Sequence, residues 1–414
     1  MRIWRKARAA VLALALVGST AATPASGTAT DCCGGPSSWT TGDKSALGTS
    51  ATTQSPVWFT VADGVTSEVF YPRVDVPETQ DMQYVVTDGS SFVDLERDAT
   101  DHAVSMPDEK SLEYTVTNTA KSGRYRITTT YVTDPARATL VTRTRFQALD
   151  SGTYRLYLLA NPSMAGGAGG DTASWDGNGL VASGTENLFG TTTTVVSSLR
   201  ASTGFSAHDN GYSGAASDCL VDLRADHRLD NGFDAVSGAG NVVQCGQIPV
   251  AADTTFTVAL GYGSTAQAAT SAATGSLTAG FSALEAGYRT GWNSYVGSLK
   301  PAPASVAGDQ QRRRAYYVAA MALHAAEDKT FRGAGWPGWR RRGATSSTAT
   351  ASATVTTGCG VATSTNRPPV SWPPATRRSR NAWRSSCGTR SGSARRPPAT
   401  ARRTRPARSP ATAP

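Results

Sequence analysis

Lysine, aspartate and glutamate are absent from Ala334 to Pro414, a stretch that instead holds 15 arginines. A segment with charge of one sign and few large aliphatic side chains cannot bury enough apolar surface to offset its chain entropy. That excludes a packed domain there. Histidine is scarce, with four in 414 residues, and the six cysteines show no C-x-x-C pair at zinc spacing, which excludes a zinc module. No apolar run approaches the ~20 residues of a membrane span. The longest, Ala9–Val17, lies between Arg2, Arg5, Lys6 and Arg8 and a series of small residues. That order is an export signal, with cleavage expected near Ala25. Cys32 follows Thr30-Asp31 rather than the small residues a lipidation site needs. The mature chain is therefore expected to be secreted, with no membrane partner, and to act as a monomer.

Charge separates the chain into parts. The net charge is +9; the tail arginines and the four cations of the signal contribute +19, so Asp31–Gly333 carries −10. An acidic folded part argues against nucleic acid as partner. In an oxidising compartment Cys219 and Cys245 are the expected disulfide, closing a Gly/Asp/Asn-rich loop and stabilising by about 3 kcal/mol in the chain-entropy model. Cys32, Cys33, Cys359 and Cys387 receive no assignment.

From Trp39 to Tyr262 the pattern is β. Arg124–Val132 alternates, with Tyr125, Ile127, Thr129 and Tyr131 on one face. Further strands are expected at Val57–Val61, Glu68–Tyr71, Gln83–Thr87, Leu112–Thr117, Thr139–Phe146, Tyr154–Leu159, Thr193–Leu199 and Thr255–Tyr262. Turn formers such as Ala62-Asp63-Gly64, Asp134-Pro135 and Asn161-Pro162 separate them. Many short strands without interleaved helices predict a mainly β fold, a large antiparallel β-sandwich. Helical composition begins at Ala266 and runs to Ser298, and Lys300–Pro303 reads as a linker. Asp309 is placed to cap a helix reaching about Lys329, with Tyr316, Ala319, Leu323 and Ala326 on one face. One amphipathic helix cannot bury that face alone, and no further helical pattern follows.

Four blocks stand in order along the chain: Trp39-Thr-Thr-Gly-Asp-Lys44, Ser55-Pro-Val-Trp-Phe-Thr60, Glu68-Val-Phe-Tyr-Pro-Arg-Val-Asp75 and Tyr131-Val-Thr-Asp-Pro135. Together they resemble the N-terminal domain of bacterial glucoamylases and glucodextranases, glycoside hydrolase family 15. The resemblance implies a supersandwich of galactose-mutarotase-like shape and a linker helix leading to an (α/α)6 barrel. In that barrel two glutamates act as general acid and general base with inversion on an α-glucan (starch, maltooligosaccharide or dextran). Arg314–Phe331 resembles the barrel's first helix. The family's Pro-Trp-Gly motif and its substrate-binding Trp-x-Arg-Asp motif are not found, so no catalytic residue is carried over. Domain limits follow: a signal at 1–25, a flexible leader at 26–38, the sandwich at 39–299, linker and first helix at 300–333, and a disordered tail at 334–414.

The tail fits a shift of reading frame. Read one frame over, the codons for 335–345 and 353–364 can spell a Pro-Trp-Gly string and then a Trp-Gly-Arg-Asp string, in the family's order. The visible Arg, Pro, Ala, Ser, Thr and Gly are what GC-rich codons give out of frame. The competing reading is a polycationic tail, with Trp336, Trp339 and Trp372 to stack on bases or sugars, attached to a non-catalytic carbohydrate-binding or structural sandwich.

Candidate site residues are few. Glu96, Asp98, Asp101 and His102 cluster in sequence, but a solvated loop between strands is the better account. His208-Asp209 and Asp226-His227 lie near the cysteine-bridged loop, where a bound cation is conceivable but has no support, and His324 is expected to pack between helices. Trp39, Trp58, Trp175 and Trp292 are expected in core or interdomain packing rather than as a sugar platform. No catalytic, cofactor or metal residue is assigned, and no cofactor is expected.

Overall fold

The computed structural model describes residues 27–188 and 191–335. The expected signal at 1–25 and the tail beyond Gly335 lie outside the described residues. The alternating segment forms the strand Tyr125–Thr133. Its predicted face, Tyr125, Ile127, Thr129 and Tyr131, is buried, and Tyr131 stacks on Phe59 of the facing sheet with ring centroids 5.7 Å apart. Thr130 and Val132 on the opposite face are buried too, because helices cover that side.

The ten-stranded sheet runs Gly27–Ala29, Phe233–Val236, Thr172–Trp175, Leu180–Leu188, Thr191–Ala201, Asp253–Gly263, Thr139–Ala148, Tyr125–Thr133, Tyr114–Ala120 and Thr100–Ser105. The eight-stranded sheet runs Ala207–Tyr212, Val242–Ile248, Arg155–Pro162, Pro77–Thr87, Val65–Phe70, Trp58–Ala62 and Ala46–Thr49. Val93–Leu95 adds to Pro77–Thr87. Pairing is antiparallel except between Gly27–Ala29 and Phe233–Val236. Apolar residues of both inner faces, among them Phe59, Val86, Ile127, Phe146 and Leu158, form one core. The expected turn at Asp63-Gly64 joins Trp58–Ala62 to Val65–Phe70 with both residues at positive φ, 49° and 74°. Both centres of a two-residue type I′ hairpin turn require that conformation.

In chain order the helices are α1 (Glu96–Ala99), α2 (Cys219–Asp226), α3 (Ala266–Ala279), α4 (Phe281–Ser298), α5 (Ala304–Ala307) and α6 (Gln310–Ala325). Helix α3 lies on the strands Thr191–Ala201 and Asp253–Gly263. Gly261 permits the close approach, since a Cβ there would stand 2.6 Å from the Ala269 carbonyl oxygen and the Ala273 nitrogen. Helix α4 buries Phe281, Leu284, Tyr288, Trp292 and Val296, a four- and three-residue spacing that gives one apolar stripe. Trp292 Nε1 donates to the Thr49 carbonyl at 2.9 Å and Tyr288 Oη to that of Leu112 at 2.8 Å.

Two expectations change. Within the expected leader at 26–38, the described residues from Gly27 onward make specific contacts with the sandwich. Gly27–Ala29 pairs with Phe233–Val236, Asp31 accepts from Ser217 N at 2.7 Å, and Cys32 is bonded to Cys33. A three-residue strand is too short to show a period. The second change concerns the bridge between Cys219 and Cys245. It closes on a regular frame rather than a bare loop: Cys219 opens α2, Cys245 lies in Val242–Ile248, and both pack with Leu159, Leu223 and Val243. Replacing both cysteines by serine is expected to cost about 3 kcal/mol in urea unfolding of the oxidised chain. An unchanged midpoint would show that the bridge contributes nothing.

Candidate functional site

Asp309 caps α6 as its residue type predicts, its carboxylate accepting from Arg312 N at 3.0 Å. Of the helix, Met321 and Ala325 are buried, with Tyr317 and Val318 packed beside them. The stripe named from sequence faces largely outward: Ala319 is exposed and Leu323 is 56% exposed, with Tyr316 and Ala326 half-buried. Among the described residues no helix follows to cover it. The helix ends at Ala325 rather than near Lys329, and the residues beyond fold back onto the sandwich.

That return is held by three groups. Trp58, fully buried in the eight-stranded sheet, donates Nε1–H to the Ala325 carbonyl at 2.8 Å. Asp328 is 3% exposed; its carboxylate accepts from Val74 N at 2.9 Å and from Thr330 N and Phe331 N at 2.8 and 2.7 Å. Lys329 Nζ donates to Thr49 Oγ1, the Ser50 carbonyl and the Ser55 carbonyl at 2.6, 2.8 and 2.6 Å, and lies 5.2 Å from the centre of the Trp58 ring. Three donors meet three neutral acceptors, so the ammonium is satisfied without a carboxylate pair, and burial pushes it well below the ordinary lysine value. His324 stacks on Tyr295 at 4.2 Å and meets the edge of Trp292, as its expected helix-packing role requires. Burial lowers its pKa. The pocket beside Lys329 has a volume of about 10 Å³, room for a single water and not for a sugar.

A larger cavity, about 120 Å³, opens near the strand Pro77–Thr87 and includes Gln80, Asp81, Arg97, Asn161 and Asp218 in its lining. Its carboxylates are committed elsewhere. Asp81 accepts from Arg97 at 3.1 Å and from Asn161, and Asp218 accepts from Gly214 N and Leu220 N. Neither is free for the acid and base roles of a glycosidase.

The other sequence candidates disperse. Glu96 does not lie in a solvated loop: it starts α1 fully buried, accepting from Tyr84 N at 2.9 Å and from Asn118 Nδ2 at 2.6 Å. Burial raises its pKa to about 7. His102 lies on the edge strand Thr100–Ser105, its Nδ1 2.9 Å from Asn118 Oδ1, while Asp98 and Asp101 are exposed. His208 pairs with Asp234 at 2.8 Å and stacks on Trp175 at 4.2 Å. Its neighbour Asp209 turns the other way along the strand and is buried, accepting from Phe233 N. Asp226 caps a turn at Arg228 N, and His227 ends α2 at φ 68°. Trp39 is half-buried, whereas Trp58 and Trp292 are enclosed. Among the described residues no three His, Cys, Asp or Glu side chains converge as a metal centre, and no helix is long and apolar enough to cross a membrane. Sequence reasoning missed Asp328 and Lys329; their only signal is a charged pair directly after a helix.

Residues 29–297 match the family model described as glucodextranase, domain N. A glucoamylase from Clostridium sp. (strain G0005) is 31% identical over 299 residues, 72% of this chain and 41% of the relative. Among solved structures, a bacterial glucoamylase complexed with acarbose is similar at a TM-score of 0.68 and 29% identity, covering 74% of this chain and 44% of that one. The chain thus spans less than half the length of either relative.

Two outcomes test this geometry. Lys329→Met leaves the Ser50 and Ser55 carbonyls unpaired and is expected to cost about 2–3 kcal/mol. Hydrogen exchange should show α6 losing protection before the strands; equal loss everywhere would contradict a local clamp. Glu96 titrates higher folded, at about 7, than unfolded, so the folded state binds more protons between about pH 4.5 and 7. Its stabilising contribution is present below that window and is lost as pH rises through it, by about 3 kcal/mol. Glu96→Gln should flatten the decline of stability with pH; an unchanged slope would remove Glu96 as its source.

Proposed function

Because this chain belongs to the glucodextranase domain N family, we propose that it is the N-terminal part of a secreted, exo-acting α-glucan hydrolase of the glucoamylase or glucodextranase type. The observation that carries this reading is the joint one: the sandwich is similar to a glucoamylase over 299 residues, and α6 is clamped to it by Trp58 and Lys329. In this reading α6 is the first helix of the (α/α)6 barrel and its outward stripe, Ala319 and Leu323, meets the barrel's other helices. The sandwich positions the barrel and takes no part in bond cleavage, consistent with the committed carboxylates of its larger cavity. The substrate is starch, maltooligosaccharide or dextran, reached through the parent enzyme, which works as a monomer outside the cell.

The sequence after Gly335 offers neither motif of the barrel in the visible frame, so the chain as it stands is inactive and the tail is the out-of-frame reading of the catalytic domain. Glucose release from maltooligosaccharides and dextran tests this. The full chain should give none above a buffer blank, and a gene with the long frame restored should release glucose of inverted, β configuration. Glucose release by the unaltered chain would sink the claim of inactivity. Retardation of the chain on starch gels without hydrolysis would favour the binding-module reading instead.

A further inference from the structure

Glu78 lies in the strand Pro77–Thr87 of one sheet, and Asp171 directly precedes Thr172–Trp175 of the other. Both are fully buried. The connection after Arg155–Pro162 serves both with consecutive main-chain groups: Ala165 N donates to Glu78 Oε2 at 2.6 Å and Met164 N to Asp171 Oδ2 at 3.0 Å. The two carboxylates therefore meet at Met164, accepting from the N–H groups on either side of its Cα. Each keeps an oxygen with no hydrogen-bond partner, Glu78 Oε1 and Asp171 Oδ1, and the buried Ser163 Oγ next along the connection is unpartnered as well. Ser163 is drawn to the same place, its N–H donating to the Glu78 carbonyl at 3.0 Å.

Gly184 borders this group. A Cβ there would stand 2.7 Å from Met164 Cβ, 2.8 Å from Asp171 Oδ1 and 2.9 Å from the Met164 carbonyl oxygen, so only glycine fits beside the place where those two oxygens approach each other. The Met164 carbonyl accepts a long bond from Gly167 N, 3.3 Å, and a carbonyl oxygen carries two lone pairs. Two buried carboxylates without a counter-charge are costly. The nearby Arg73 is shared with Asp75 at 3.1 Å and Glu186 at 3.7 Å.

We infer that Glu78 Oε1, Asp171 Oδ1, Ser163 Oγ and the Met164 carbonyl form a binding site for a hard divalent cation that ties the two sheets together at this end of the sandwich. An irregular all-oxygen set mixing carboxylate, hydroxyl and carbonyl suits calcium, which takes six to eight oxygens in flexible geometry, better than magnesium, which demands a near-ideal octahedron. The two negative charges match the ion's, and binding before unfolding stabilises the folded state by mass action.

The full chain, dialysed against buffer with micromolar calcium and then buffer alone, should retain one calcium per chain by atomic emission. Chelation should lower Tm by about 5 °C, reversed by 1 mM calcium and not by 1 mM magnesium. Glu78→Gln and Asp171→Asn should abolish both the bound calcium and the shift. Should either fail to fold, Gly184→Ala, which crowds Asp171 Oδ1, should weaken calcium binding at least tenfold. No bound calcium together with a calcium-independent Tm in the unaltered chain would overturn the site. So would carboxamide variants that gain stability while the calcium response persists, since the pair would then be held by protons alone.

Discussion

The burial of Trp58 is the constraint on which the carboxy-terminal part of this structure depends. Its ring is closed off within the eight-stranded sheet, yet its indole N–H must find an acceptor, and the acceptor is the last carbonyl of α6. The same ring offers a face to Lys329, whose three donors are spent on Thr49, Ser50 and Ser55. A helix that packs through Met321 and Ala325, with Tyr317 and Val318 beside them, is thereby fixed in position by directional bonds. Removing one partner leaves buried polar groups unpaired, which costs more than the contact itself is worth. That asymmetry makes the seat specific.

Much of the sandwich was legible because its physics is local. The alternation of Arg124–Val132, the Asp63-Gly64 turn and the Asp309 cap each announce a backbone state through residue type alone, and each is found. Other strands left little trace. Leu180–Leu188 reads Leu-Val-Ala-Ser-Gly-Thr-Glu-Asn-Leu, with a glycine at its centre and few β-branched residues, and it is a strand because its neighbours pair with it on both sides. Gly27–Ala29 and Thr100–Ser105 are edge strands whose pairing is likewise set by tertiary contacts. The seat of α6 was least legible: Asp328 and Lys329 look like a solvated charged pair, and only contacts more than 250 residues apart in the chain reveal Asp328 as buried and the Lys329 ammonium as bound to the sandwich.

The same separation holds for function. Family membership follows from the sandwich, and the two carboxylates lining its cavity of about 120 Å³, Asp81 and Asp218, are both engaged by other groups. What the fold provides is a rigid platform, ended by a clamped helix whose outer stripe is apolar. Beyond Gly333 the sequence is arginine-rich and holds no aspartate or glutamate.

The central claim is that this sandwich and its clamped helix belong to a longer hydrolase whose catalytic part is read out of frame. The most direct measurement is the nucleotide sequence, from independent genomic and transcript reads, across the codons for Gly333 to Gly335. The account predicts that a change of one or two bases there restores a long frame encoding the Pro-Trp-Gly and Trp-Gly-Arg-Asp strings. A frame that is reproduced intact in both reads would contradict it and make the arginine-rich tail genuine.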